Sequence, residues 1–192
     1  MSDALAVIVL AAGKGTRMRS PLPKVLHTVA NQPLIHHVLD TVSTLTPDRT
    51  IMVLGHESEQ VKEVVSPLFP NVTTVIQKEQ LGTGHAVQQA LPALNDFKGN
   101  VLVLYGDHPF ITADTLVALI TELTQHAVAI LGFNASDPAA YGRLVTNDTG
   151  ALEAIVEFKD ASDTEKQITL CNSGVMAIQG QHLPSLLKAL DN

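Results

Sequence analysis

The sequence predicts an α/β protein, a three-layer α/β/α fold built on a mixed, mostly parallel sheet. Continuous apolar runs such as Ala6–Leu10 and Val101–Tyr105 read as strands buried on both faces. Between such runs lie segments whose apolar residues recur at helical spacing. The two kinds of segment alternate along the chain to Phe133, the pattern of βαβ units. Right-handed crossovers would then place helices on both faces of the sheet.

Taken in order, Ala6–Leu10 is the first strand. Pro33 opens a helix with Leu34, Ile35, Val38, Leu39, Val42 and Leu45 on one stripe. Strand Ile51–Leu54 precedes a helix that turns Val61, Val64 and Val65 inward, and Val72–Ile76 is the next strand. A helix near Ala86–Leu94 leads to strand Val101–Tyr105. Leu116, Leu119, Ile120 and Leu123 mark a further helix before strand Val128–Phe133. The rhythm changes after Asn134: Leu144–Thr146 and Ala151–Phe158 flank Asn147-Asp148-Thr149-Gly150, a hairpin turn. Strand Thr169–Ile178 and the short segment Gln181–Leu190 complete the chain. This antiparallel part is expected to extend one edge of the sheet as a lid-like half, with no linker before it. The expected halves are about 1–133 and about 134–192.

At 192 residues the chain can bury one substantial core, and its formal net charge is −7. That acidic balance argues against a nucleic-acid partner, which needs a broad basic face. The single Cys171 excludes an internal disulfide and fits a reducing compartment. The apolar N-terminal run of about nine residues is too short to cross a bilayer. Asp3 stands where a signal peptide would be basic, so a cytoplasmic protein is expected.

Against this acidic background, Leu10–Lys24 stands out. Gly13 and Gly15 permit a sharp turn and close approach of backbone to a ligand. Successive N–H groups in such a turn make an anion-binding concavity. Lys14, Arg17, Arg19 and Lys24 follow, with no Asp or Glu between Asp3 and Asp40, so a polyphosphate site is expected. It is not a Walker A loop, whose Gly-x-x-x-x-Gly-Lys-Ser/Thr string is absent. Nor is it the dinucleotide fingerprint: Met18 occupies the place of the third glycine, and Pro21 and Pro23 oppose the helix that must follow.

Two further places carry chemistry. Ligands in open α/β sheets bind beyond the carboxyl ends of strands, where Tyr105-Gly106-Asp107-His108-Pro109 lies. Asp107 there is either a Mg²⁺ ligand or the cap of a turn. Gln77–Ala86 offers Gly82 and Gly84 for close approach, and Gln80 and Thr83 as donors and acceptors for a base edge. By its residues alone it could equally be a loop leading into a helix. The eight histidines form no metal-binding pattern, no His-Glu-x-x-His occurs, and His36-His37 has no partner in view. No Ser-His-Asp grouping emerges either, so covalent catalysis is not expected.

The string Leu-Ala-Ala-Gly-x-Gly-Thr-Arg-Met…Pro-Lys-Val-Leu resembles the signature loop of the sugar-nucleotide pyrophosphorylases. Its Pro23–His27 ending and Gln80–Ala86 are similar to the branch that uridylylates N-acetylglucosamine 1-phosphate. The resemblance covers essentially the whole chain and implies the nucleotide-diphospho-sugar transferase fold. It implies UTP and N-acetylglucosamine 1-phosphate as substrates and Mg²⁺ as cofactor. Leu10, Ala11, Ala12, Gly13, Gly15, Gln77, Gln80, Gly82 and Thr83 would then bind nucleotide, Arg17 and Lys24 would be catalytic, and Asp107 would hold the metal. Tyr105, Gly142, Glu157 and Asn172 would bind sugar. The last three stand in Tyr141-Gly142-Arg143, Ile155-Val156-Glu157-Phe158-Lys159-Asp160 and Cys171-Asn172-Ser173-Gly174, similar to family elements except for Ala140 and Ser173. The rival readings are a sister enzyme using another NTP, a non-catalytic nucleotide-sugar binding domain, and a dinucleotide oxidoreductase. Family members continue past this point with a second metal-binding asparagine, and many with a trimer-forming left-handed β-helix acetyltransferase domain. Neither stretch is in this sequence, so a fragment or a reduced relative is expected, with oligomeric state open.

Overall fold

The computed structural model describes residues 4–13, 15, 18–55 and 58–190. The chain divides into two compact units, one formed by Met1–Ala129 with Met176–Asn192, the other by Ile130–Val175.

The first unit is built on a sheet in the order β5-β4-β1-β6-β10. β1 (Leu5–Ala11) lies between β4 (Arg49–Leu54) and β6 (Asn100–Tyr105), parallel to both, and β5 (Val72–Ile76) runs parallel to β4 at the edge. Met176–Gln179, the end of β10 (Leu170–Gln179), pairs antiparallel with β6. The sheet is mixed and mostly parallel, as the sequence predicts. Ala6–Val9 are fully buried, so β1 is covered on both faces. On one face Ala6, Ile8 and Leu10 join Ile51, Val53, Val101 and Val103 in a core closed by α3 (Thr83–Ala90) and α5 (Leu183–Lys188). Burial of the alternate residues Val7 and Val9 shows the other face covered as well.

The helical stripe on α1 (Leu34–Thr44) is buried at Ile35, Val38, Leu39 and Val42. α2 (Ser58–Val65) buries Val61 and Val65 but leaves Val64 only partly covered. α4 (Ala113–Thr121) and the 3-10 turn Glu122–Thr124 bury Leu116, Leu119 and Leu123. Several boundaries differ from the sequence reading. Pro33 is not the first helical residue; it ends β3 (Gln32–Pro33), which pairs with β2 (Thr28–Val29) in a small hairpin the hydrophobic pattern does not announce. Its turn places Ala30 and Asn31 at φ +49° and +62°, the geometry usually signalled by Asn-Gly. α3 begins at Thr83, three residues before the expected start, and tightens to a 3-10 turn over Leu91–Leu94, where Pro92 cannot continue the α-helical bonding. The two adjacent histidines are not unpartnered. His36 Nε2 lies 3.2 Å from Val64 O and His37 Nε2 lies 2.9 Å from Val29 O, so they serve as polar clasps within the unit.

In the second unit, β8 (Arg143–Thr146) and β9 (Leu152–Val156) form the expected hairpin. Asn147 Oδ1 closes the turn by accepting from the N–H groups of Thr149 and Ala151, and Gly150 adopts φ +81°. β9 stops at Val156, short of the expected Phe158, because its apolar residues Leu152 and Ile155 are about 40 % exposed and no core extends the strand. Glu157 therefore stands just beyond the strand, not within it, and its carbonyl accepts from Asp160 N–H in the turn that follows. β7 (Val128–Asn134) pairs with β10, and Ser173 Oγ donates to Leu131 O within this unit.

Candidate active site

Four parallel strands end on the same side of the first unit's sheet, and the predicted nucleotide-binding residues collect there. Beyond β1 come Ala12, Gly13 and Gly15; beyond β5, Gln77; beyond β6, Gly106 and Asp107. Gly106 N–H donates to Leu10 O at 2.9 Å, tying the end of β6 to the end of β1. A Cβ at Gly106 would lie 2.9 Å from Ile35 Cδ1, so glycine lets the strand pass beneath α1 and present Asp107. Gln77 N–H donates to Leu54 O at 2.8 Å and extends the β4–β5 ladder into the next loop.

These strand ends enclose a cleft of about 650 Å³. Every sequence-predicted nucleotide residue lines it: Leu10, Ala11, Ala12, Gly13, Gly15, Gln77, Gln80, Gly82 and Thr83. Lys24, Tyr105 and Asp107 line it too. Arg17 and Lys14 lie outside the described residues. Arg19 is described and exposed, at φ +48°, and does not line the cleft. Met18, Val25 and Ala86 also line it, and no polar signal in the sequence marks them.

Within the cleft, Lys24 Nζ forms an ion pair with the Asp107 carboxylate. Lys24 is delivered by a 3-10 turn, Lys24–Leu26, whose Val25 and Leu26 are buried anchors. Gly15 sits at φ +57° with its Cα hydrogen against Lys24; an added Cβ would meet Lys24 Cβ at 2.9 Å. Close passage of the two segments therefore requires a glycine. Burial pushes the neighbouring His108 imidazole below its usual range, with Asp107 opposing that shift and Lys24 adding to it. The ring of His108 lies 5.1 Å from that of Tyr105.

The loop after β5 is held to the loop after β1, because Gln80 Nε2 donates to Ala12 O. One side of the Gln80 amide is thus committed to the protein. Gln77, 4 % exposed, donates through Nε2 to Gly82 O at 3.1 Å and meets His85 Nδ1 at 3.0 Å. Gly82 precedes α3 at φ +99°, a conformation that favours glycine.

Gly142, Glu157 and Asn172 do not line this cleft; they meet one another in the second unit. Asn172 N–H donates to Gly142 O at 2.8 Å, and a Cβ on Gly142 would stand 3.4 Å from Glu157 Oε1. Asn172 Oδ1 accepts from Gly174 N–H, which leaves the amide nitrogen for other partners. Beneath the three runs Arg143, 2 % exposed and missed as a key residue by its sequence. Its guanidinium donates to the carbonyls of Pro138, Ala139, Tyr141 and Lys166 and lies over the Phe158 ring. It thereby fixes the backbone on either side of Gly142.

No described helix is long and apolar enough to cross a membrane. The family model for the MobA-like NTP transferase domain matches residues 7–168. The protein named Bifunctional protein GlmU from Paramagnetospirillum magneticum is 54 % identical over 194 residues, covering 100 % of this chain and 42 % of that protein. The protein of the same name from Ruegeria sp. strain TM1040 is 51 % identical over 187 residues, 97 % of this chain and 41 % of that protein. The chain thus spans about two fifths of the length of the curated relatives it matches. Among solved structures, HddC from Yersinia pseudotuberculosis, complexed with GMP-PN, superposes with a TM-score of 0.71 at 20 % identity, over 97 % of this chain and 80 % of that one. A 4-diphosphocytidyl-2C-methyl-D-erythritol synthase from Anaerococcus prevotii gives 0.68 at 17 % identity, over 99 % and 79 %. These two likenesses speak for the fold.

Proposed function

The chain belongs to the MobA-like NTP transferase domain family, and from that premise we propose that its cleft binds UTP for transfer to N-acetylglucosamine 1-phosphate. The products would be UDP-N-acetylglucosamine and pyrophosphate. The observation that carries this reading is the meeting of the glycine loop, Lys24, Asp107 and the Gln77–Thr83 loop in one cleft. The roughly 50 % identity to proteins named GlmU supports the choice of substrates.

In this reading the backbone N–H groups from Ala12 to Gly15 hold phosphate oxygens. The sugar phosphate attacks the α-phosphorus in line and pyrophosphate leaves, a step that needs positioning and charge neutralisation more than a protein nucleophile. Lys24 supplies the neutralising cation, an interaction worth roughly 3 kcal/mol in the transition state, and Arg17 is assigned the same duty. Gln77, Gln80, Gly82 and Thr83 face the base. Tyr105, Gly142, Glu157 and Asn172 are assigned to the sugar; Tyr105 apart, about 1–133 would serve the nucleotide and about 134–192 the sugar.

The donor set suits Mg²⁺. Among the described residues no three His, Cys, Asp or Glu side chains converge as a protein cage. Asp107 supplies one carboxylate at the cleft, 16 % exposed, and Mg²⁺ commonly takes one or two carboxylates with substrate phosphates and water. When bound there, the ion would add charge neutralisation between the two substrates. Small molecules are the proposed partners, with neither nucleic acid nor membrane among them, in the cytoplasm.

The test is pyrophosphate release with Mg²⁺, N-acetylglucosamine 1-phosphate and each NTP in turn, with nucleotide binding measured by calorimetry. UTP is expected to bind most tightly and to be the productive nucleotide. Equal binding of all four NTPs would defeat the base assignment. Tight UTP binding with no pyrophosphate in either this chain or a longer one would defeat the transfer reaction.

A further inference from the structure

From the contacts around Gln77, we infer that His85 is a positioning residue that sets which end of the Gln77 amide faces the cleft and thereby selects the pyrimidine. The inference rests on the proposed binding of a base beside Gln77.

Gln77 is almost wholly buried, yet it lines the cleft. Its inner amide atom lies 3.1 Å from Gly82 O. A backbone carbonyl only accepts, so the atom facing it must be Nε2 and Oε1 must take the other side. The same Nε2 lies 3.0 Å from His85 Nδ1, and its second hydrogen is satisfied only if Nδ1 carries a lone pair. With both hydrogens spent inward, the Gln77 carbonyl oxygen is left without a partner among the described residues. It is not among the buried polar atoms cut off from solvent. The cleft is therefore offered an acceptor.

His85 is contested. Gln89 Nε2 approaches the opposite ring nitrogen, Nε2, at 3.1 Å and also donates to His85 O. A neutral imidazole has one bare nitrogen, so it cannot accept from both glutamines. Burial decides between them. Gln89 is only partly buried and can turn its amide to water, whereas Gln77 at 4 % exposure has no such exit. Nδ1 is therefore the bare nitrogen and belongs to Gln77, and the ring hydrogen sits on Nε2. A hydrogen on Nδ1 would instead press the Gln77 amide to flip, against Gly82 O, and would offer the cleft a donor.

The two pyrimidines differ at the atoms such an amide reads. Uracil presents N3–H, a donor; cytosine presents a bare N3, an acceptor. An acceptor set against N3, where the inference places it, thus favours uracil and leaves cytosine with two acceptors opposed; set against position 4 it would instead meet the amino donor of cytosine. Sites that hydrogen-bond a polar edge discriminate strongly for that reason.

Dissociation constants of UTP and CTP should be measured on the 192-residue chain and on His85→Leu and His85→Asn. The wild-type chain is expected to prefer UTP by about 100-fold. His85→Leu removes the acceptor at nearly constant volume and should lower that preference about tenfold. His85→Asn can present Oδ1 where Nδ1 stands, and should hold the preference within about threefold of wild type. A wild-type preference surviving unchanged in a folded His85→Leu overturns the inference. Equal wild-type affinity for UTP and CTP instead overturns the base-site reading on which it rests. Should the leucine variant not fold, ¹⁵N shifts of the His85 ring in the nucleotide-free wild-type chain decide. Hydrogen on Nε2 supports the inference, and hydrogen on Nδ1 overturns it.

Discussion

The two units hold their predicted site residues by opposite means. In the first, the residues stand at the ends of β1 and β6, whose interiors are buried, and of the edge strand β5, which is laddered to the buried β4, and the strands aim them. Asp107 and Gln77 are placed by ladder hydrogen bonds that run on past β6 and β5. In the second, β9 is mostly exposed and cannot aim anything by packing. Its cluster is held instead by one buried cation, Arg143, which draws four backbone carbonyls inward. A site on a packed sheet inherits its precision from the core; a site on turns needs a dedicated polar anchor.

Arg143→Leu gives the harshest test of that contrast. Four inward carbonyls would lose the guanidinium, that of Pro138 alone keeping Tyr141 N–H, and stability should fall by about 3–5 kcal/mol, read by urea unfolding. Amide exchange should quicken across 130–175 while β1, β4 and β6 stay protected. Uniform loss of protection would erase the distinction. Lys24→Ala comes next: the rate of pyrophosphate release should drop about 100-fold with Tm almost unchanged, because the Lys24–Asp107 pair is partly solvent-exposed. Gly15→Ala should cost about 1–2 kcal/mol from its φ of +57°. It should also weaken UTP binding, since the new methyl displaces Lys24. Asn147→Ala, which deletes the acceptor closing the β8–β9 turn, should cost only about 1 kcal/mol and leave UTP binding untouched, as calorimetry would register.

Legibility in the sequence follows the same division. β1, β4 and β6 are readable because burial on both faces leaves unbroken apolar runs, and the residues after them are readable as ligand-facing because parallel strands share one productive end. β9 misleads: Leu152 and Ile155 look like core residues, which carries the predicted strand on through Glu157, but they are 43 % and 40 % exposed. The partners of His36 and His37 lie 28 and 8 residues away, beyond any local pattern. The β2–β3 hairpin hides because Ala30 fills a position where glycine would have announced the turn. The inward commitments of Gln77 and Gln80, to Gly82, His85 and Ala12, are tertiary facts that spacing alone does not carry.

The return of the chain through β10 bears on how the molecule can be dissected. Gln179 N–H reaches Ala127 O at 2.9 Å, so the backbone leaves the first unit and re-enters it at nearly the same spot. A piece cut after Ala129 would strip β6 of its outer neighbour and take away Leu183 and Leu187, which lie over Ala86, Val87 and Ala90. Excision of 130–175 with a short splice is the surgery the topology tolerates, and it would yield a minimal protein that keeps every residue lining the cleft together with Leu183 and Leu187, which a simple terminal deletion cannot.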